Sequence, residues 1–450
     1  MGSLAAGQGF LILNSIGDLV PFKSGVADNY SGAESVTLLG ELCEGRKATT
    51  LAVPPNLHWT EPDLAAGRGF VRITPIGTVV ARLLREWRES AARRVLLGEE
   101  ISTPSVFRWG SGNTALADLT KAFADRLFAL DGRGAILRYG ADPGYFSYLQ
   151  SLSLSEHHLP LRHRETGMVF RRSQNGELRG VARLHEYDML EHHTLCASPS
   201  QALGEYQRQF MAQLELHRAW TDATVAWFRV TADTLPTAMA VLRSALAPRV
   251  PVMVEVLPDM PHYWSLTHTL YTRGRLKTFN SQIDPVNPQR FAIRVRGATG
   301  PLAVVHTSLA STERLMLVAA DEAMRRPVAE LPLWLAPIQL RFLPVAQRHM
   351  STASAAVDAA TDAGVRADID DRHRSVGKRV RDAAAEWIPF VVVVGDATRN
   401  GEPLRVRHRD GATVDMTIDE VVQRIVDASE GWPKGHLGHR LVSCRTPNAR

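Results

Sequence analysis

The chain predicts an α+β fold, an antiparallel sheet with covering helices, followed by a separate α/β domain. Two observations carry this. Strand-prone runs such as VAWFRV, VPVMVEV, FAIRVR and LAVVH cluster in the middle of the chain without the strand–helix alternation of a parallel sheet. The last third does alternate, and the proline-punctuated VAELPLWLAPIQ between the two patterns is the natural boundary.

Along the chain, residues 1–60 mix Gly, Ser and short apolar pieces without sustained period, and read as an N-terminal extension. From Thr78, the positions Val79, Val80, Leu83, Leu84, Trp87, Ala91 and Val95 recur at helical spacing, with Gly98 available to end the helix. Pro104 follows in a short β-prone stretch, as a sheet edge tolerates. Helices are expected over 201–220 and 236–246. In the last third the spacing predicts strands in IQLRFLPV, VRADIDD and FVVVVGD, and helices over 351–363, 376–385 and 418–429. The resulting division is 1–60, a catalytic-type domain over 61–332, and a second domain over 335–440.

With 45% apolar and 22% charged residues, the 450-residue chain has ample material for buried cores. No run approaches the roughly 20 apolar residues of a membrane span, and no signal segment is evident, so the expected compartment is the cytoplasm. Cys43, Cys196 and Cys444 are odd in number and far apart, which argues against a disulfide framework. A formal charge of +5 favours an anionic partner.

The most informative stretch is FRRSQNGELRGVARLHEYDMLEHHTLC, from Phe170 to Cys196. Asn175-Gly176 is a turn signal between two β-prone segments, so Arg171 and Arg183 are expected on facing strands. Two guanidiniums held together suit a phosphate or carboxylate, because each presents a planar fork of donors. Glu191 and His193 are expected just past the strand end, where they reach the same pocket.

This stretch resembles motif 2 of the class II aminoacyl-tRNA synthetases, most closely that of archaeal-type threonyl-tRNA synthetases. FRRSQNGELRG, Arg183 and HTLC carry the likeness. It extends over roughly residues 54–435: TPIGTVVARLLREW with EEISTPSVF resembles motif 1, VVHTSLASTERLM resembles motif 3, and the last third resembles the family's anticodon-binding domain. The fold implied is a class II antiparallel-sheet catalytic domain followed by an α/β anticodon-binding domain, in a homodimer joined through the motif 1 helix.

The resemblance implies roles. Arg171 would bridge the amino-acid carboxylate and the ATP α-phosphate, and Arg314 would hold the outer phosphates. Tyr187 would stack on adenine and Arg183 would touch the nucleotide, while Gln282 and Tyr263 would line the amino-acid pocket. Arg179 and Arg407 would meet tRNA, with Arg405 and Arg409 as further basic candidates. ATP and magnesium are the implied cofactors, and threonine or a relative the implied amino acid.

The departures from the family cluster at the pocket. Asp142 stands where the family's zinc-binding cysteine would be, His193 matches the first histidine, and His306 or, with the gap placed differently, Val305 falls at the second. Zinc is therefore an open expectation, since carboxylate and imidazole are competent ligands but the thiolate is gone. Ser173 replaces a glutamate that contacts adenine, Glu191 an aspartate that grips the amine, Thr267 lies near a lysine position, and Ala310 replaces a motif 3 glycine. No counterpart of the family's N-terminal editing domain is present in the sequence. The expected function is ATP-dependent amino-acid activation and transfer to tRNA with altered specificity. The alternatives are a ligase serving a small molecule or carrier, and a catalytically weak tRNA-binding paralog.

Overall fold

The computed structural model describes residues 10–22, 33–108, 114–121, 123–130, 134–174, 176–398 and 402–444. The chain divides into two compact units, Met1–Leu51 with Arg88–Val318, and Ala52–Trp87 with Ala319–Arg450. Among the described residues no helix is long and apolar enough to cross a membrane.

The first unit is built on a ten-stranded sheet. In chain order its strands are β1 (Leu11–Leu13), β2 (Leu19–Pro21), β3 (Glu99–Glu100), β4 (Leu161–Phe170), β5 (Glu186–Cys196), β6 (Val225–Thr231), β7 (Val252–Leu257), β8 (Leu266–Tyr271), β9 (Lys277–Asp284) and β10 (Ala303–Leu309). Their order in space is β2-β1-β7-β6-β8-β9-β10-β5-β4-β3. All neighbours are antiparallel except β6 with β7 and β4 with β3. The stretch read as an N-terminal extension thus contributes β1 and β2, whose three-residue length leaves no period to detect. FAIRVR yields only Val295–Arg296, which pairs outside this sheet with Leu154–Ser155.

Alternation along the central strands separates two faces. One face of β5, through Thr194, meets the Pro199–Arg218 helix, where Gln209 Nε2 donates to Thr194 Oγ1 at 3.0 Å. That helix begins where the sequence supplies Pro199 in its first turn and Ser198 as a cap, whose hydroxyl accepts from the Gln201 amide at 3.2 Å. Gln213 of the same helix reaches Ser281 of β9 at 2.5 Å, so the covering layer is satisfied as well as buried. Glu191 and His193 point to the opposite face.

A buried ion pair fixes the start of the Thr312–Met324 helix. Arg88 forks onto Asp188 at 2.9 and 3.0 Å, and Asp188 also accepts from the Thr312 amide at 3.1 Å. Arg88 additionally donates to the Ala310 carbonyl at 3.0 Å, which gives the expected glycine-position alanine a backbone role.

In the second unit, β11 (Leu340–Pro344), β12 (Ala367–Ile369), β13 (Phe390–Val394), β14 (Leu404–His408) and β15 (Thr413–Met416) form a sheet ordered β12-β11-β13-β14-β15. β11 is parallel to β12 and β13, while β13, β14 and β15 are antiparallel. Leu340, Phe342, Val357, Val392, Val421 and Ile425 pack its core between the sheet and the Met350–Asp362 and Ile418–Ala428 helices. Thr417 and Glu420 close a reciprocal capping box on the latter helix.

Candidate amino-acid and nucleotide site

The hairpin read from the sequence differs in where it ends. The β4–β5 ladder stops at Phe170 opposite Glu186, so Arg171 lies one residue beyond it and Arg183 falls in the connecting loop. Asn175 of the expected turn lies outside the described residues. The loop leaves the ladder because its backbone bonds elsewhere: the Arg172 amide donates to the Arg126 carbonyl at 2.7 Å and the Val181 amide to that of Leu51 at 2.8 Å. Arg183 pairs with Glu177 at 3.3 Å instead of meeting Arg171 across a ladder. Glu191 and His193 are likewise in the interior of β5, not past its end.

Arg171 turns into the pocket. Its Nε donates to the Tyr139 carbonyl at 2.6 Å, and its guanidinium carbon lies 5.8 Å from the Tyr187 ring centroid. Arg314, on the first turn of its helix, donates to the Ala182 carbonyl and reaches the Lys277 carbonyl at 3.4 Å. Burial lowers the pKa of Arg314, and the nearby charges of Arg171 and Arg183 add to that, with Tyr187 opposing. Ser173 uses its amide on His185 Nδ1 at 3.0 Å.

Strand register brings the histidines together. His193 stands directly opposite His306, and His306 directly opposite Gln282. Val305 pairs with Thr194 on the other face, so the third candidate ligand in the pocket is His306. Asp142, at the start of the Asp142–Gln150 helix, accepts from His193 Nε2 at 3.0 Å and from the Tyr263 hydroxyl at 3.2 Å. His306 Nδ1 comes within 2.8 Å of the oxygen that His193 uses, a charge pairing without aligned hydrogen-bond geometry. His306 Nε2 faces Asp284 at 3.1 Å.

These charges are strongly coupled through space. Burial alone would raise the pKa of Asp142, but His306 and His193 reverse this and hold it well below the usual carboxylate range. Burial likewise opposes the charged form of His306, but Asp142 and Asp284 outweigh it and lift its pKa to about 10. Burial, with the Asp142 charge behind it, raises that of Glu191.

The donor set fits a metal such as zinc. One ligand atom from each of Asp142, His193 and His306 lies within 4.8 Å of the other two. His306 Nδ1 lacks an aligned hydrogen bond and faces the other two candidate ligands, and Asp284 on the far ring nitrogen supplies the carboxylate–histidine orientation usual behind a ligand. Sequence reasoning missed Asp284, although it lies two residues after Gln282 and therefore on the same strand face. It also missed Tyr145, whose ring stacks on His193 at 4.5 Å.

Glu191 is held by the Ala141 amide and stands opposite Ser308. Gln282 accepts from Asn280 at 3.0 Å, and Thr267 is directly opposite it. Gly140 lies at the focus: a Cβ built there would be 3.5 Å from a Glu191 oxygen, 3.6 Å from an Asp142 oxygen and 3.7 Å from an Arg171 nitrogen. In the second unit, Arg405 and Arg407 alternate with buried Leu404 and Val406 and point to solvent, whereas Arg409 is turned onto the carbonyls of Ala329 and Ala384. Arg179 sits in the loop, its amide weakly bonded to the Arg183 carbonyl at 3.4 Å.

The fold is that of the class II aminoacyl-tRNA synthetases. It aligns with the RNA binding domain of threonyl-tRNA synthetase from Cryptosporidium parvum (TM-score 0.70, 18% identity, 84% of this chain and 98% of that one). It also aligns with Giardia lamblia prolyl-tRNA synthetase (TM-score 0.64, 16% identity, 83% and 77%). Residues 339–428 match the anticodon binding domain family. In sequence, the chain is similar to curated threonine–tRNA ligases, being 30% identical to that of Methanosphaerula palustris over 393 residues and 31% identical to that of Methanocaldococcus jannaschii over 412. These alignments cover 82% and 84% of this chain, which spans 63% and 66% of the length of those relatives.

Proposed function

We propose that the protein is an ATP-dependent ligase that activates an amino acid as its adenylate and transfers it to tRNA. The observation that carries this reading is the convergence at Gly140 of one guanidinium and two carboxylates, each with an atom 3.5–3.7 Å from a Cβ built there. Such a set of opposite charges suits a zwitterion: its carboxylate on Arg171, its ammonium on Glu191.

In this reading a carboxylate oxygen of the amino acid attacks the α-phosphorus of ATP, and the bond to the leaving pyrophosphate breaks. Arg171, anchored through Nε on the Tyr139 carbonyl, offers its remaining nitrogens to the charge that develops there. Arg314 takes the outer phosphates, with magnesium as their counterion, and Tyr187 and Arg183 border the nucleotide. A hydroxyl of the terminal ribose then attacks the activated carbonyl and releases AMP. Tyr263 keeps Asp142 oriented toward the amino-acid side chain. Asp142, His193 and His306 would hold zinc, which when bound would supply a Lewis acid to the side-chain hydroxyl and to the amine once its ammonium proton has passed to Glu191. A carboxylate in place of a thiolate makes that ligand harder at the same formal charge, which supports an amino-acid preference shifted away from strict threonine selection.

The anticodon binding match and the solvent-facing Arg405 and Arg407 support tRNA as the acceptor. The test is aminoacylation of total tRNA with each amino acid that supports activation. Adenylate formation without any charging of tRNA would remove tRNA from the reading and favour a small-molecule or carrier acceptor.

A further inference from the structure

The polar face of the large sheet does not end at the pocket. Register carries it from His193 through His306, Gln282 and Thr267 to Arg229, one residue per strand. Directly opposed residues share a face, so Arg229 belongs to the face that bears the site. Two residues back along the same strand is Trp227, and the Arg229 guanidinium carbon lies 4.6 Å from its ring centroid.

Lys277 joins this end of the face. It pairs with Tyr271 across the β8–β9 ladder, and its Nζ lies 5.8 Å from the ring centroids of both Trp227 and Tyr271. Its own carbonyl accepts from Arg314 Nη1 at 3.4 Å, so the tip of that arginine lies at the base of the lysine. The nearby acids are committed: Glu255 pairs with Arg229 at 3.0 Å, and Glu177 is shared between Arg183 and Arg126. Lys277 and Arg314 therefore have no ion pair among the described residues. Burial, then the charges of Arg229, Arg314 and Arg183, with Glu255 opposing, bring the Lys277 ammonium down to about 8.

Such a gathering of cations, open to solvent on an aromatic floor, is unfavourable until an anion of several charges completes it. We propose that Lys277 is a further phosphate-binding residue, which with Arg314 takes the outer phosphates of the nucleotide and retains the pyrophosphate leaving group until release. No feature of the sequence motifs assigns this lysine a role. The assignment rests on the nucleotide reading of the site, and the experiment separates the two.

Binding of ATP, AMP and inorganic tripolyphosphate to the full chain is measured by calorimetry for the unmodified protein, Lys277→Ala and Lys277→Arg, with circular dichroism confirming that each variant is folded. Loss of one charge-assisted contact predicts that Lys277→Ala weakens ATP and tripolyphosphate by about tenfold, leaves AMP within about twofold, and is largely rescued by arginine. ATP binding unchanged in Lys277→Ala, or ATP and AMP weakened equally, overturns the assignment. Tripolyphosphate binding that depends on Lys277, in a protein that does not bind ATP, keeps the anion site and removes the nucleotide reading. Binding of neither ATP nor tripolyphosphate removes both.

Discussion

His193 and His306 face each other across adjacent antiparallel strands, their ring centroids 4.9 Å apart, and both approach a single oxygen of Asp142. Each strand contributes one imidazole, and the carboxylate arrives from the start of a helix far away in sequence. In the proposed reading these three side chains would be a metal's ligands, with a carboxylate where the resembled family carries a thiolate.

Exchanging it back is the first prediction. Asp142→Cys should tighten zinc binding by at least about tenfold, because a thiolate is the softer and stronger ligand for this metal. Competition against a chromophoric chelator measures it. Equal or weaker zinc binding in the folded variant would mean that His193 and His306 do not act as ligands.

The second prediction concerns Arg171 and Arg314. Replacing either with alanine should raise the barrier to adenylate formation by roughly 3–4 kcal/mol, the range for losing one donor to developing charge. The fold should survive the Arg171 change, since that side chain donates to a single backbone carbonyl in the described contacts. An Arg171→Ala enzyme that forms adenylate at the unmodified rate would remove this residue from the chemistry.

Glu313, next to the capped start of the Arg314 helix, gives a pH prediction. Burial, reinforced by the charge of Asp188, raises its pKa from 4.5 to about 7. Below pH 4.5 both folded and unfolded chains hold the proton, and the group contributes nothing. As pH rises from 4.5 to 7 the unfolded chain loses its proton first, so stability falls, by about 3 kcal/mol at most, and the penalty then stays level. Glu313→Gln should therefore stabilise the protein at pH 8 and leave it nearly unchanged at pH 4.5. Urea unfolding at the two values checks this, and a variant destabilised equally at both would show that the carboxylate is needed for packing instead.

The buried Arg88–Asp188 pair gives a fourth. Asp188→Ala leaves a buried guanidinium without its carboxylate and frees the Thr312 amide, and should cost about 3–5 kcal/mol. Chemical denaturation measures it. A loss below about 1 kcal/mol would mean that water or another acid replaces Asp188.

How much of this was readable beforehand follows from physical range. The Val376–Ala385 helix falls where its period-3.6 pattern predicts, because an amphipathic stripe is a local signal. The exit of the chain from the ladder after Phe170 was not readable, since it depends on Arg126 and Leu51 carbonyls that no neighbouring residue announces. The two short N-terminal strands were missed for a related reason: three residues carry no period, and only the partner strand makes them a strand. Within the pocket, residue types were legible and facing was not. The choice between Val305 and His306 depended on which side of β10 turns toward β5, which pairing register alone decides.

The most direct test of the central claim is amino-acid-dependent exchange of pyrophosphate into ATP, measured over the common amino acids and short β-hydroxy and β-amino relatives, with and without tRNA. Exchange is expected with at least one of them, abolished in Arg171→Ala, with weaker preference for threonine over its relatives than a thiolate-bound zinc site would impose. Absence of exchange with every amino acid, in a folded protein that binds ATP, would contradict it.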